Sequence, residues 1–189
     1  MKQRLKTIDL VLCALFTALV AVGAFLRIPV PYVPFTLQLL FTTLAGLLLG
    51  AKLGALSVLL YILLGLAGLP VFTQGGGIGY VLQPTFGYII GFLIAAFVTG
   101  KIANTTSTPS YKRLLVAGFI GMGIVYLCGM AYFYMISHLY LNTDIPISKL
   151  LVSCFLLFVP GDSLTCLLAV CIGKRLIPIL HRNRISGMI

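Results

Sequence analysis

Asp162 is the residue whose position asks most for a chemical explanation. It stands fifteen positions after Ile147 and twelve before Lys174, inside an otherwise apolar run, and is one of three acidic residues in a chain of 189. A carboxylate in hydrocarbon costs at least about 2.5 to 3.5 kcal/mol on insertion scales, so it needs partners. Two kinds are open to it: a ligand's donors, or backbone amides freed by the neighbouring Pro160, which would hold a kink. A second concentration of chemistry is the stretch Gly65 to Phe92, with eight glycines, two prolines and no charge in twenty-eight residues. Gly76 and Gly77 in its centre permit close backbone approach to a ligand and offer amide donors, or else simply form a turn. Thr36, Gln38, Tyr80, Gln83, Thr85 and Tyr88 are neutral polar groups at or near predicted helix starts. Such groups orient a small, mostly apolar ligand in a pocket, although a tyrosine also serves as an anchor at the membrane interface.

Other chemistries lack their residues. No Lys-Ser/Thr follows the glycines and Tyr80 stands where GxGxxG needs its last glycine, so a nucleotide site is not spelled. Cys13, Cys128, Cys154, Cys166 and Cys171 all lie in apolar runs without metal-ligand spacing, and read as small buried hydrophobes. His138 and His181 have no second histidine or carboxylate at ligand spacing. An intramembrane enzyme would need a nucleophile with its base, paired acids or a metal, so no enzyme, metal or cofactor is expected.

The elements that must position these groups are membrane helices. Sixty per cent hydrophobic and eight per cent charged residues lie far from the soluble norm of roughly 25% charged. One integral membrane domain over residues 1–189 is expected, bounded by lipid. The net charge of +10 falls mostly in short segments between apolar runs, where it reports orientation and not nucleic acid. The segment KQRLK followed by the run Ile8–Leu26 is longer than a signal-peptide core and reads as a retained first helix. After it, prolines at 29, 31 and 34 give a stiff extended loop. The apolar stretch Leu37–Ala67 is either one helix carrying Lys52 or two short helices turning at Gly50-Ala51-Lys52.

Charge decides between them. With six helices, Lys2, Arg4, Lys6, Lys52, Lys101, Lys112, Arg113, Lys174, Arg175, Arg182 and Arg184 share one side and only Arg27 and Lys149 lie opposite. A five-helix count splits these clusters, against the bias that keeps short basic loops cytoplasmic. The expectation is therefore an all-α, six-transmembrane-helix bundle with both termini cytoplasmic and ordered outer loops over a ligand cavity. Helix four is expected from Pro84 to Gly100, helix five over Leu114–Leu141, and helix six over Ile147–Leu180 with an interruption at Pro160-Gly161-Asp162.

The outer segment PYVPFTLQ (31–38), the run GLPVF (68–72) with its glycine-rich continuation, PTFGYIIGF (84–92) and PGD (160–162) together resemble the BioY family, the biotin-specific membrane subunits of energy-coupling factor transporters. The resemblance runs from helix one to helix six. It implies a substrate-binding subunit in a prokaryotic cell membrane that captures biotin from outside and docks on a membrane coupling protein with two ATP-binding cassette ATPases. It places Ala14 and Ala18, an AxxxA pair on helix one, at the docking surface. It assigns the ligand site to Thr36, Gln38, Gly76, Gly77, Tyr88 and Asp162, with Thr165 at the position of a family lysine, to which the residue reading adds Tyr80 and Gln83. Members of the family commonly carry a lysine three positions after the aspartate, where this chain has Thr165. Competing readings are the same subunit type with a different vitamin, a stand-alone secondary transporter, for which inverted repeats are not evident, and a purely structural membrane subunit.

Overall fold

The structure, a computed structural model, describes residues 6–30, 33–106, 109–143 and 145–186, with side chains as far as Leu180. Lys2, Arg4 and Asp144 lie outside the described residues, as do the side chains of His181, Arg182 and Arg184. The described residues are all-α apart from a hairpin of two-residue strands and a single bridge between Phe72 and Gly75. Helix α1, Thr7–Phe25, buries Cys13, Phe16, Thr17 and Val20 on one face and leaves Ala14 and Ala18 exposed on another. Strand β1, Arg27–Ile28, then pairs antiparallel with β2, Phe35–Thr36, so that Arg27 lies opposite Thr36. Pro29 and Pro34, between the strands, favour the extended backbone the hairpin needs.

Helix α2 is a continuous helical stretch from Gln38 to Leu66 that folds double at Gly50, whose φ of 83° and ψ of 177° are not helical. The Gln38 amide nitrogen donates to the Tyr61 hydroxyl over 2.9 Å; in a straight helix those residues would stand about 35 Å apart. A Cβ on Gly54 would come within 2.8 Å of the Ala45 carbonyl oxygen, so the two arms pack backbone to backbone. Asn104, after helix α3 (Phe86–Ala103), donates to the carbonyls of Gly46, Leu47 and Gly100 at 3.1 to 3.3 Å. It thereby satisfies acceptors that the first arm leaves open where it ends. Helix α4, Tyr111–Leu139, starts on Ser110, whose hydroxyl accepts from the Arg113 amide. It lies tight on α3: a Cβ on Gly91 would stand 2.9 Å from the Val125 Cα.

Two helix boundaries differ from expectation for reasons of backbone chemistry. Helix α3 begins at Phe86, because Ile78–Leu82 form a separate 3₁₀ turn and the Phe86 amide then bonds the Gln83 carbonyl. The break in the last span lies upstream of Pro160-Gly161-Asp162. A short helix α5, Ile147–Leu151, runs into a π turn over Val152–Leu156, and helix α6 restarts at Val159 and continues to Ser186. Pro160 falls in the first turn of α6, where a missing amide hydrogen costs nothing. Among the described residues five helical stretches, Thr7–Phe25, Gln38–Leu66, Phe86–Ala103, Tyr111–Leu139 and Ile147–Leu180, are long and apolar enough to cross a membrane. The protein is a multi-pass membrane protein.

Candidate functional site

At the end of the bundle where the β1–β2 hairpin and the 68–83 segment meet the helices, a cavity of about 630 Å³, including its open mouth, is left unfilled. Its lining, mostly apolar with a few polar groups converging on it, suits a small organic ligand. Phe35, Tyr80, Tyr88, Phe92, Tyr126 and Phe158 line it together with aliphatic side chains such as Leu39, Ile89 and Val125. Behind Tyr80, the rings of Tyr61, Phe72, Phe86 and Tyr132 continue the packing edge to face or tilted, with centroids 4.5 to 6.5 Å apart. Rigid plates of this kind bury a large area yet cannot collapse into every gap.

Asp162 reaches the cavity from the first turn of α6. Its Oδ2 accepts a hydrogen bond of 2.5 Å from the hydroxyl of Tyr126 on α4, whose ring stands edge-on to Phe155 at 5.0 Å. Tyr88 on α3 donates to the Cys154 carbonyl at 3.1 Å. That carbonyl lies within the π turn, where widened backbone bonding leaves acceptors for side chains. Above this floor, Phe35 of β2 stacks on Phe158, with centroids 6.1 Å apart and planes 1° from parallel. It also covers Gly161, where a Cβ would meet the Phe35 ring at 2.8 Å.

The opposite wall is a chain of neutral polar groups. Gln38 is 3% exposed; its Oε1 accepts from Thr36 at 3.5 Å, and Tyr61, which receives its amide hydrogen, passes its own to the Val71 carbonyl at 3.2 Å. Thr73 and Tyr80 share a bond of 2.8 Å, and Tyr80 lies 3.5 Å from Thr85. Arg27 donates to the Thr73 carbonyl, tying the hairpin to the loop that carries Thr73.

Of the residues singled out by sequence, Thr36, Gln38, Tyr80, Tyr88 and Asp162 come together around this cavity. Gly76, Gly77, Gln83 and Thr165 do not line it. Gly77, with φ of 100°, sends its amide 2.7 Å to the Gly65 carbonyl, and a Cβ on Gly76 would collide with the Leu69 carbonyl at 2.1 Å. These glycines form the turn that carries Thr73 and Tyr80, a conformation open to them at little steric cost. Gln83 is exposed, and Thr165, though buried, spends its hydroxyl on the Asp162 carbonyl within its own helix at 2.9 Å. Sequence reasoning missed Tyr126, Thr73, Phe35 and Phe158. The available signal for Tyr126 was a phenol in the middle of an apolar helix, and nothing in the spacing paired it with a residue 36 positions on.

A helical membrane bundle that holds a small-molecule cavity under ordered loops at one end defines a class of ligand-handling membrane proteins. The comparisons narrow it. The BioY family model matches residues 1–182, and the chain belongs to that family. A protein named as a probable biotin transporter BioY from Lysinibacillus sphaericus is 44% identical over 184 residues, covering 97% of this chain and 94% of the relative. The biotin transporter BioY of Thermotoga maritima is 44% identical over 123 residues, covering 65% of this chain and 72% of the relative. Among solved structures, the S-component for biotin from an ECF-type ABC transporter superposes with a TM-score of 0.78 at 32% identity, covering 92% of this chain and 94% of that one.

Proposed function

We propose that this chain is the biotin-capture subunit of an energy-coupling factor transporter, a transport subunit and not an enzyme. The observation that carries the reading is the cavity itself, with acceptor groups of Asp162, Tyr126 and Tyr88 on its floor, neutral polar groups on the opposite wall and apolar side chains between. Biotin has two ureido N–H groups and a carbonyl on a fused ring, with an aliphatic chain ending in a carboxylate. The ureido group suits Asp162, with Thr36, Gln38, Tyr80 and Tyr88 as neutral partners; the thiophane ring and chain suit the aromatic walls. Gly76 and Gly77 act through the turn they make, and the carboxylate stays near the mouth, where Arg27 supplies positive charge.

The folded-back α2 supports two crossings from that stretch, hence a six-helix topology with both termini cytoplasmic. Its arms, 38–49 and 51–66, are about 18 and 24 Å long, both short of the roughly 30 Å hydrocarbon core, so the turn at Gly50 lies within the bilayer's depth or the bilayer thins there. The exposed Lys52 lies in the first turn of the second arm, beside the reversal at Gly50, on the side where short basic segments are cytoplasmic. Residues 1–189 then form one membrane domain in a prokaryotic cell membrane. Exposed Ala14 and Ala18 offer a coupling protein a flat helix face for close approach, and the energy comes from two ATP-binding cassette ATPases bound to that protein. Calorimetric titration of the purified chain with biotin, and with riboflavin and thiamine as controls, tests the substrate. Saturable one-to-one binding of biotin only is expected; binding of another vitamin in its place would keep the subunit class and overturn the ligand.

A further inference from the structure

The hydrogen bonds around the cavity floor have a direction. Tyr126 gives its only hydroxyl hydrogen to Asp162 Oδ2, and Tyr88 gives its own to the Cys154 carbonyl. Each phenol has one O–H to donate. Thr165, one turn along α6, is turned away and bonds backbone. Among the described residues no donor therefore reaches Asp162 Oδ1, while Asp162, Tyr126 and Tyr88 all line the cavity. Their unused hydrogen-bonding capacity is a carboxylate oxygen and two phenolic oxygens, all acceptors.

We infer that Tyr126 and Tyr88 are positioning residues that hold the cavity floor as an acceptor-only surface, with Tyr126 orienting Asp162 so that Oδ1 meets a ligand N–H. The floor selects ring systems that present N–H donors and excludes rings of the same shape that present only acceptors or alkylated nitrogens. The asymmetry is strong because a buried acceptor left without its donor costs more than the average bond contributes. Tyr126 is held on its other side by Phe155, which belongs to the π turn, and Tyr88 is held by a carbonyl of the same turn. The irregular turn thus fixes both phenols in the orientation that turns their oxygens to the ligand.

This inference rests on biotin as the ligand, and one set of titrations separates the two claims. Wild-type protein is titrated with biotin, with desthiobiotin, which keeps the ureido N–H groups but lacks the sulfur, and with biotin methylated on both ureido nitrogens. Desthiobiotin should bind within about tenfold of biotin, and the methylated analogue about 100-fold more weakly. Tyr126→Phe should weaken biotin about tenfold while leaving the methylated analogue unchanged, and in an Asp162→Asn background it should change biotin affinity less than about twofold. Equal affinity of biotin and its methylated analogue for the wild type would overturn the acceptor-only floor without any variant having to fold. Additive losses in the double variant would make Tyr126 a packing residue. Failure of the wild type to bind biotin at all would remove the ligand reading and this assignment with it.

Discussion

The two ends of this bundle are built from the same apolar alphabet and end up opposite in character. At the end where α2 turns, Leu47, Ala103, Leu114, Ala117 and Ala169 are completely buried, and aliphatic and small side chains fill the space between helices. Lys174 from α6 closes that end by donating to the Pro109 carbonyl at 2.7 Å and lying over the Tyr111 ring. At the other end the core mixes tyrosines and phenylalanines, which the first end nearly lacks, with aliphatic side chains such as Leu39, Ile89 and Val125, and Gln38, Thr85 and Asp162 face a gap. Small and aliphatic side chains at the first end pack without a gap, whereas the larger rings at the second, with the polar groups among them, leave one. Ring content and polar lining, more than hydrophobicity, separate the filled end from the end with the cavity.

That contrast can be broken in four places. The largest effect is expected outside both ends: Ala14→Trp should reduce biotin uptake by cells to background while the purified variant binds biotin as the wild type does. Normal uptake would remove the α1 face from docking. At the closed end, Leu47→Ala should cost about 3 kcal/mol of stability, read as a lower melting temperature in detergent, with the affinity of the folded fraction unchanged. A loss of affinity instead would mean the ends are coupled. Asp162→Asn should do the reverse, keeping the melting temperature and weakening biotin about 100-fold, or about 2.7 kcal/mol. Unchanged affinity would reduce Asp162 to a helix-start residue. The smallest effect is expected from Phe35→Ala, which removes the plate over Gly161 and Phe158 and should raise the biotin dissociation rate about tenfold.

Legibility in the sequence followed the same division. Asp162 could be found because a carboxylate in an apolar run stands out against its neighbours. Lys52 marked a turn in the same way, and the chain does reverse beside it, at Gly50. Thr36, Gln38, Tyr80 and Tyr88 were legible as polar groups near helix starts and do meet around one cavity. Tyr126 was not, since a phenol among aliphatics is compatible with plain packing and its partner is set by how α4 meets α6. The π turn left no composition signal either, because Val152–Leu156 reads as ordinary apolar helix. For Gly76 and Gly77 the sequence left close approach to a ligand and a turn both open; they form a turn outside the cavity lining, and Thr73 and Tyr80 on either side of it stand at the wall.

The account turns on where the ligand sits, and a structure of the purified chain with biotin bound measures that directly. The ureido ring is expected between Asp162 and the Phe35–Phe158 stack, with one N–H within hydrogen-bonding distance of Asp162 Oδ1 and Tyr126 still bonded to Oδ2. Biotin density anywhere outside this cavity, or in it with the ureido ring turned away from Asp162, would contradict the account.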